Sequence, residues 1–152
     1  MRISARADYA VRAAIELARA PQGRPLKGDA IGTAQGIPVK FLEAILSELR
    51  HAGLVQSRRG TEGGYWLARP ATEVTVADLV RAVEGPLASV RGERPEDVAY
   101  AGSAVPLQEV WIAVRASLRD VVERVTVADL AAGELPEHVR ELARDPEAWT
   151  TR

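Results

Sequence analysis

No cysteine occurs in this 152-residue chain, and aromatic side chains are scarce, with three Trp, three Tyr and one Phe. Without thiols the chain can form no disulfide, thiolate metal site, cysteine nucleophile or thiol redox switch. Only two histidines are present, and no Ser/His/Asp grouping, metal-ligand spacing or strand-to-helix phosphate loop can be found. The expectation is a protein that is not an enzyme and holds neither metal nor cofactor. Long apolar runs are missing too. The start, Met1-Arg2-Ile3-Ser4-Ala5-Arg6-Ala7-Asp8, is broken by charge, and no stretch approaches the roughly 18 apolar residues of a membrane span. A cytoplasmic location is expected.

What is present is ordinary for a soluble globular chain: 47% hydrophobic and 27% charged residues. This length favours one compact unit plus an extension and buries about 70% of the surface the unfolded chain exposes. The net charge of −1 conceals an asymmetry: residues 1–85 carry 12 Lys+Arg and 9 Asp+Glu, net +3, whereas residues 86–152 carry 8 and 12, net −4. Any contact with a polyanion is expected in the first part.

Residues 8–20 are Ala-rich, with Val11, Ile15 and Ala18 on one face and Ala10, Ala14 and Leu17 beside them, an amphipathic helix ended by Pro21-Gln22-Gly23. Lys27–Thr33 has room for two helical turns. Pro38 then opens a helix at its first position, in which Leu42, Ile45, Leu46 and Leu49 recur at i, i+3, i+4 and i+7 before Gly53. Beyond it the period changes. Leu54–Arg58 and Tyr65–Ala68 read as two strands joined by Arg59-Gly60-Thr61-Glu62-Gly63-Gly64, a β-hairpin with glycine-rich turn. Thr75 caps a helix through Glu84, with Asp78 at its third position.

Gly85–Pro106 is punctuated by glycine and proline and reads as a long loop, functional or disordered. After it, Leu107, Trp111, Val114, Leu118, Val121 and Val125 are spaced 4, 3, 4, 3 and 4 apart, a heptad seam suited to one other helix, in this chain or in a second copy. Thr126 caps a short helix, Pro136–Arg144 forms another, and Asp145–Arg152 reads as a frayed tail.

Three helices, a hairpin and a fourth helix within about 80 residues suggest a winged helix-turn-helix. Lys27–Thr33 is the supporting helix, Ala34–Ile37 the turn and Pro38–His51 the recognition helix. With the leucines and Ile45 inward, Val39, Lys40, Glu43 and Ala44 face outward near its start. Lys40 suits guanine or phosphate, and Glu43 suits a cytosine amino group. At the hairpin tip, Arg58 and Arg59 lie beside glycines, and Arg59 suits the negative potential of a narrow minor groove. A nucleotide-binding glycine loop is the competing reading, but such loops lead from strand to helix and here a strand follows. His51, three residues after Glu48, shares a helical face with it, where a surface contact outweighs a metal site. Tyr9, Trp66, Tyr100 and Trp111 are either core aromatics or the lining of an effector pocket.

The chain resembles the Rrf-two superfamily, the dimeric winged-helix regulators typified by the iron-sulfur and nitric-oxide responsive IscR and NsrR. The resemblance is carried by Met1-Arg2-Ile3-Ser4, Asp8-Tyr9-Ala10-Val11-Arg12, Gly36-Ile37-Pro38-Val39-Lys40-Phe41-Leu42-Glu43 and Ile45-Leu46-Ser47-Glu48-Leu49-Arg50. It continues through Ala52-Gly53-Leu54-Val55, Arg59-Gly60, Gly63-Gly64-Tyr65-Trp66-Leu67-Ala68-Arg69-Pro70, Ala82-Val83-Glu84-Gly85, Trp111 and Val125-Thr126-Val127-Ala128-Asp129-Leu130, to about residue 132. It implies a homodimer formed through the long helix, recognition helices in successive major grooves and wings in the flanking minor grooves, usually acting in repression. The implied DNA contacts are Arg2, Ser4, Val39, Lys40, Phe41, Glu43, Ala44, Arg50, Arg58, Arg59, Gly60, Thr61 and Gly63.

The resemblance also implies a sensor, and there the chain departs from it. Cluster-binding members carry three cysteines in the loop matching Gly85–Pro106; this loop has none, and Gln108 stands where a histidine ligand can occur. Asp8 and Arg12 occupy first-helix positions that supply non-cysteine ligands in some members. Clusters depend on thiolates, so no cluster is expected. An effector pocket from Tyr9, Arg12, Trp66, Tyr100 and Gln108 is the candidate replacement.

The expected fold is mainly α with a small β-hairpin: a DNA-binding domain over 1–85, a sensor-type loop over 86–105, a dimerisation helix and following short helix over 106–132, and a C-terminal extension over 133–152. The expected function is a dimeric, sequence-specific regulator of transcription, a cluster-free repressor with an unidentified small-molecule or protein effector, binding a pseudo-palindromic operator in double-stranded DNA. The rival is a regulatory module that binds a protein partner and has lost DNA binding.

Overall fold

The computed structural model describes residues 2–22 and 24–151. Met1 and Gly23, named above in the N-terminal motif and in the helix stop, and Arg152 of the tail lie outside them.

Helix α1 spans Ala5–Arg19, three residues earlier than its apolar period, because the Ser4 hydroxyl accepts the Ala7 backbone N–H at 3.1 Å and caps the first turn. Its buried face is Ala7, Ala10, Ala13, Ala14 and Leu17, while Val11, Ile15 and Ala18 are only half-buried. The small residues face inward because α1 is central, packed against the following helices and the hairpin. Helix α2 runs Gly28–Gln35 and α3 Val39–His51, with Pro38 serving as N-cap rather than as first helical residue. The turn between them is tight: Gly36 adopts φ 64, and a Cβ on Gly32 would lie 2.9 Å from the Ile37 carbonyl oxygen. Leu42, Ile45, Leu46 and Leu49 are all buried, as their spacing predicts.

Strands β1 (Val55–Arg58) and β2 (Gly64–Leu67) pair antiparallel with Val55 opposite Leu67 and Arg58 opposite Gly64. A third backbone segment joins them, since Leu26 and Tyr65 exchange hydrogen bonds of 2.9 and 2.7 Å. Helix α4 (Val76–Glu84) carries the expected capping box of Thr75 and Asp78. The same device recurs in α6 (Val127–Ala132), where Thr126 and Asp129 cap each other.

The 85–106 segment is a connection with its own structure. It contains 3-10 turns at Pro95–Asp97 and Gly102–Ala104 and a bridge between Val90 and Glu93, and Pro95 and Val98 are buried. Helix α5 spans Leu107–Val122. The proposed seam needs correction in one member: Val125 lies beyond the helix, is buried, and its carbonyl accepts the Val76 N–H at 2.9 Å. It joins the core with Val74 and Val127 because the caps of α4 and α6 meet at a Thr75–Thr126 bridge. Helix α6 then packs on α1, returning the chain to the first helix. Helix α7 spans Glu137–Arg144, and the expected frayed tail instead forms a 3-10 turn over Pro146–Trp149, its indole donating to the Ala143 carbonyl at 2.5 Å.

Candidate nucleic-acid interface

The reading side of α3 follows from its buried side. Once the four apolar residues face the core, Val39, Lys40, Phe41, Glu43 and Ala44 are left exposed in the first two turns, with Phe41 at 62%. An exposed phenyl ring beside Lys40 suits a thymine methyl next to a phosphate or guanine. At the end of the helix Arg50 donates to the Ser57 hydroxyl at 3.2 Å, tying α3 to β1. Arg6 makes a paired contact with Glu48 at 2.5 and 2.6 Å, and His51 bonds the Ser47 carbonyl. Glu48 and His51 therefore have separate partners and form no joint site.

The wing is held by contacts that sequence periodicity does not report. A Cβ on Gly63 would lie 2.0 Å from the Arg58 carbonyl oxygen, so the turn closes only around glycine. Gly60 takes φ 101, its carbonyl accepting both the Gly63 N–H at 3.0 Å and the Lys27 ammonium. Arg58 folds back and donates to the Glu62 carbonyl at 2.9 Å. Arg59 is exposed and has no hydrogen-bond or ion-pair partner among the described residues. The two adjacent arginines thus divide their work: one braces the tip and the other remains available. Thr61 is exposed, and Gly63 is buried. Lys27 and Leu26 were not singled out from the sequence; a single bridging residue and a lone lysine leave no periodic trace.

Of the remaining implied contacts, Arg2 is exposed, whereas the Ser4 hydroxyl is already engaged with the α1 cap and with the Glu84 carboxylate.

The five residues assigned to one effector pocket are distributed over three places. Arg12 lies over the Tyr9 ring at 5.4 Å, pairs with Asp8 at 2.9 Å and donates to Gln35, joining α1 to α2. Trp66 donates to Gln56 across the hairpin at 3.0 Å. Tyr100 and Gln108 meet at α5: the Trp111 indole donates to the Tyr100 hydroxyl at 3.0 Å, and the Gln108 amide reaches the carbonyls of Pro95, Glu96 and Val98 at 3.2, 3.1 and 2.9 Å. The loop is therefore fastened to α5 by an amide. Glu96 also binds Arg115, and its carboxyl is held below the ordinary range first by its own backbone N–H and then by Arg115.

This donor set does not fit an iron-sulfur cluster. The chain has no thiolate, the Gln108 amide nitrogen is committed to three carbonyls, and the described residues bring together no group of three or more His, Cys, Asp or Glu suited to a metal ion.

Helix α5 exposes an unusual surface. None of its residues is buried; the seam residues Leu107, Trp111, Val114, Leu118 and Val121 are half-buried, while Val110 and Ile112 beside them are exposed. No helix among the described residues is long and apolar enough to cross a membrane.

Residues 3–133 match the family model of Rrf2, described as an iron-dependent transcriptional regulator. A Mycobacterium tuberculosis protein described as an HTH-type transcriptional regulator is 54% identical over 145 residues, 95% of this chain and 90% of that protein. The HTH-type transcriptional regulator CymR of Bacillus subtilis is 33% identical over 132 residues, covering 87% and 91%. The solved structure of B. subtilis CymR, the global cysteine regulator, superposes with a TM-score of 0.73 at 32% identity, covering 87% of this chain and 97% of that one.

Proposed function

Because the chain belongs to the Rrf2 family of transcriptional regulators, we propose that it acts as a cytoplasmic, homodimeric repressor reading a pseudo-palindromic operator in double-stranded DNA. It is a regulator with a winged helix-turn-helix fold and not an enzyme. The observation that carries the DNA reading is the division of α3: four residues buried in the core and five exposed near its start, next to a wing with a free Arg59. Val39, Lys40, Phe41, Glu43 and Ala44 enter the major groove, and Arg59 with Gly60 and Thr61 enters the minor groove. Arg2 and Arg50 neutralise phosphates beside them, while Arg58 braces the wing that carries Arg59.

The second copy is supported by α5, which has sixteen residues, none buried, a half-buried apolar seam and the exposed Val110 bordering it. Two copies joined along α5 are expected to read half-sites about 34–36 Å apart or a multiple of it. In this reading residues 1–85 are the reading head, 86–105 the sensor-type segment and 133–152 an extension. Selection of bound fragments from genomic DNA tests the proposal. Enrichment of a two-fold symmetric site is expected; no enriched fragment, together with a stable protein partner in pull-downs, replaces it with a partner-binding module.

A further inference from the structure

The acidic second part of the chain contains one concentrated positive site. A cavity of about 480 Å³ opens between α4, the 85–98 segment and α5, and four arginines line it: Arg81 from α4, Arg94 from the loop, and Arg115 and Arg119 from α5. Glu96 is the carboxylate in the lining, and it pairs with Arg115, whose side chain is only 14% exposed. Glu123 takes Arg81 and, at 3.8 Å, Arg119. The Arg94 side chain makes no hydrogen bond or close ion pair among the described residues, and its charge acts on Glu96 from further away. Four guanidinium groups are thus brought together against two carboxylates, and Pro86 and Leu87 add apolar wall. Surface charge alone does not assemble this: the cations come from three separate elements and converge only in the folded chain.

Four arginines against two carboxylates leave an excess of positive charge around the cavity, and a bound anion offsets it. Guanidinium forks donate paired hydrogen bonds to carboxylates and phosphates. A volume of about 480 Å³ falls among small-molecule sites and exceeds what one inorganic phosphate fills. We infer that this cavity binds a compact metabolite anion carrying two or more carboxylate or phosphate groups, and that the ligand is the effector of this regulator. The effector role rests on the DNA-binding reading above; the binding site does not. A ligand spanning Arg81 and Arg119 ties the last helix of the reading head to α5, so occupancy alters how the two heads are presented to the operator.

Calorimetric titration of the full chain with inorganic pyrophosphate and with citrate, at constant ionic strength, tests the site. Saturable binding of one probe per chain is expected, pyrophosphate preference marking a phosphate ligand and citrate preference a polycarboxylate. Arg94→Gln, at an exposed position whose side chain makes no hydrogen bond, leaves the melting curve unchanged and weakens binding by about tenfold or more. Absence of saturable binding of both probes up to about 10 mM, or unchanged affinity in Arg94→Gln, overturns the site. Arg59→Ala keeps anion affinity; its loss there places the anion on the wing and also overturns the site. Saturating probe changes operator affinity in the parent chain but not in Arg94→Gln. Anion binding with no effect on operator affinity overturns the effector role, and anion binding with no operator binding at all overturns the DNA reading while the site stands.

Discussion

Neighbouring residues of one chemical type do different work here, and only their partners separate them. Arg58 and Arg59 are adjacent and both exposed, yet one is bonded to the Glu62 carbonyl and the other is free. Arg59→Ala is therefore expected to weaken operator binding by about 1–3 kcal/mol, read by fluorescence anisotropy, with dimer mass and melting temperature unchanged. Full affinity retained removes the wing from the contact surface. Ser4 shows the converse. The resemblance implies a DNA contact at this position, but its hydroxyl is engaged by the α1 cap and by Glu84. The Gln108 amide nitrogen fastens three loop carbonyls to α5. These outcomes were illegible in the sequence because residue type sets donor and acceptor capacity but not which atoms arrive within reach.

At the scale of elements, strong local signals were legible and weak ones were not. The i, i+3, i+4, i+7 pattern of α3 and both Thr/Asp caps are local devices, and the structure has them where their spacing places them. The third segment of the wing was invisible, since one bridging residue, Leu26, carries no period. Gly63→Ala tests how tightly that wing is built. Its Cβ meets the Arg58 carbonyl, so the turn opens at a cost of about 1–3 kcal/mol, and faster hydrogen exchange at the Leu26 and Tyr65 amides is the expected reading. The heptad spacing was legible too, but its last member was assigned to the wrong element: Val125 follows the end of α5 and enters the core. The exposed apolar residue bordering that seam is Val110, one turn from both Leu107 and Val114. Val110→Glu, at a position already 49% exposed in the single chain, leaves the fold intact and shifts the protein to monomer by light scattering. A dimer of unchanged mass removes α5 from the interface.

For the whole molecule, the charge asymmetry between residues 1–85 and 86–152 favours DNA contact in the first part, and affinity for the operator is expected to fall about 10³-fold or more between 50 and 200 mM salt if six or more phosphates are neutralised. A flat salt profile contradicts that electrostatic share. The same asymmetry misjudges the second part, where a net negative segment gathers Arg94, Arg115 and Arg119 with Arg81 around one cavity. By itself the sequence determined the absence of thiol chemistry, the winged helix-turn-helix order and the inward and outward faces of α3, since each depends on composition or on periods of a few residues. Only the tertiary structure decided which arginines are free, that α6 returns to pack on α1, that the 85–106 segment is fastened to α5, and that four guanidinium groups meet. Those depend on contacts between residues far apart in the chain, which packing alone brings together.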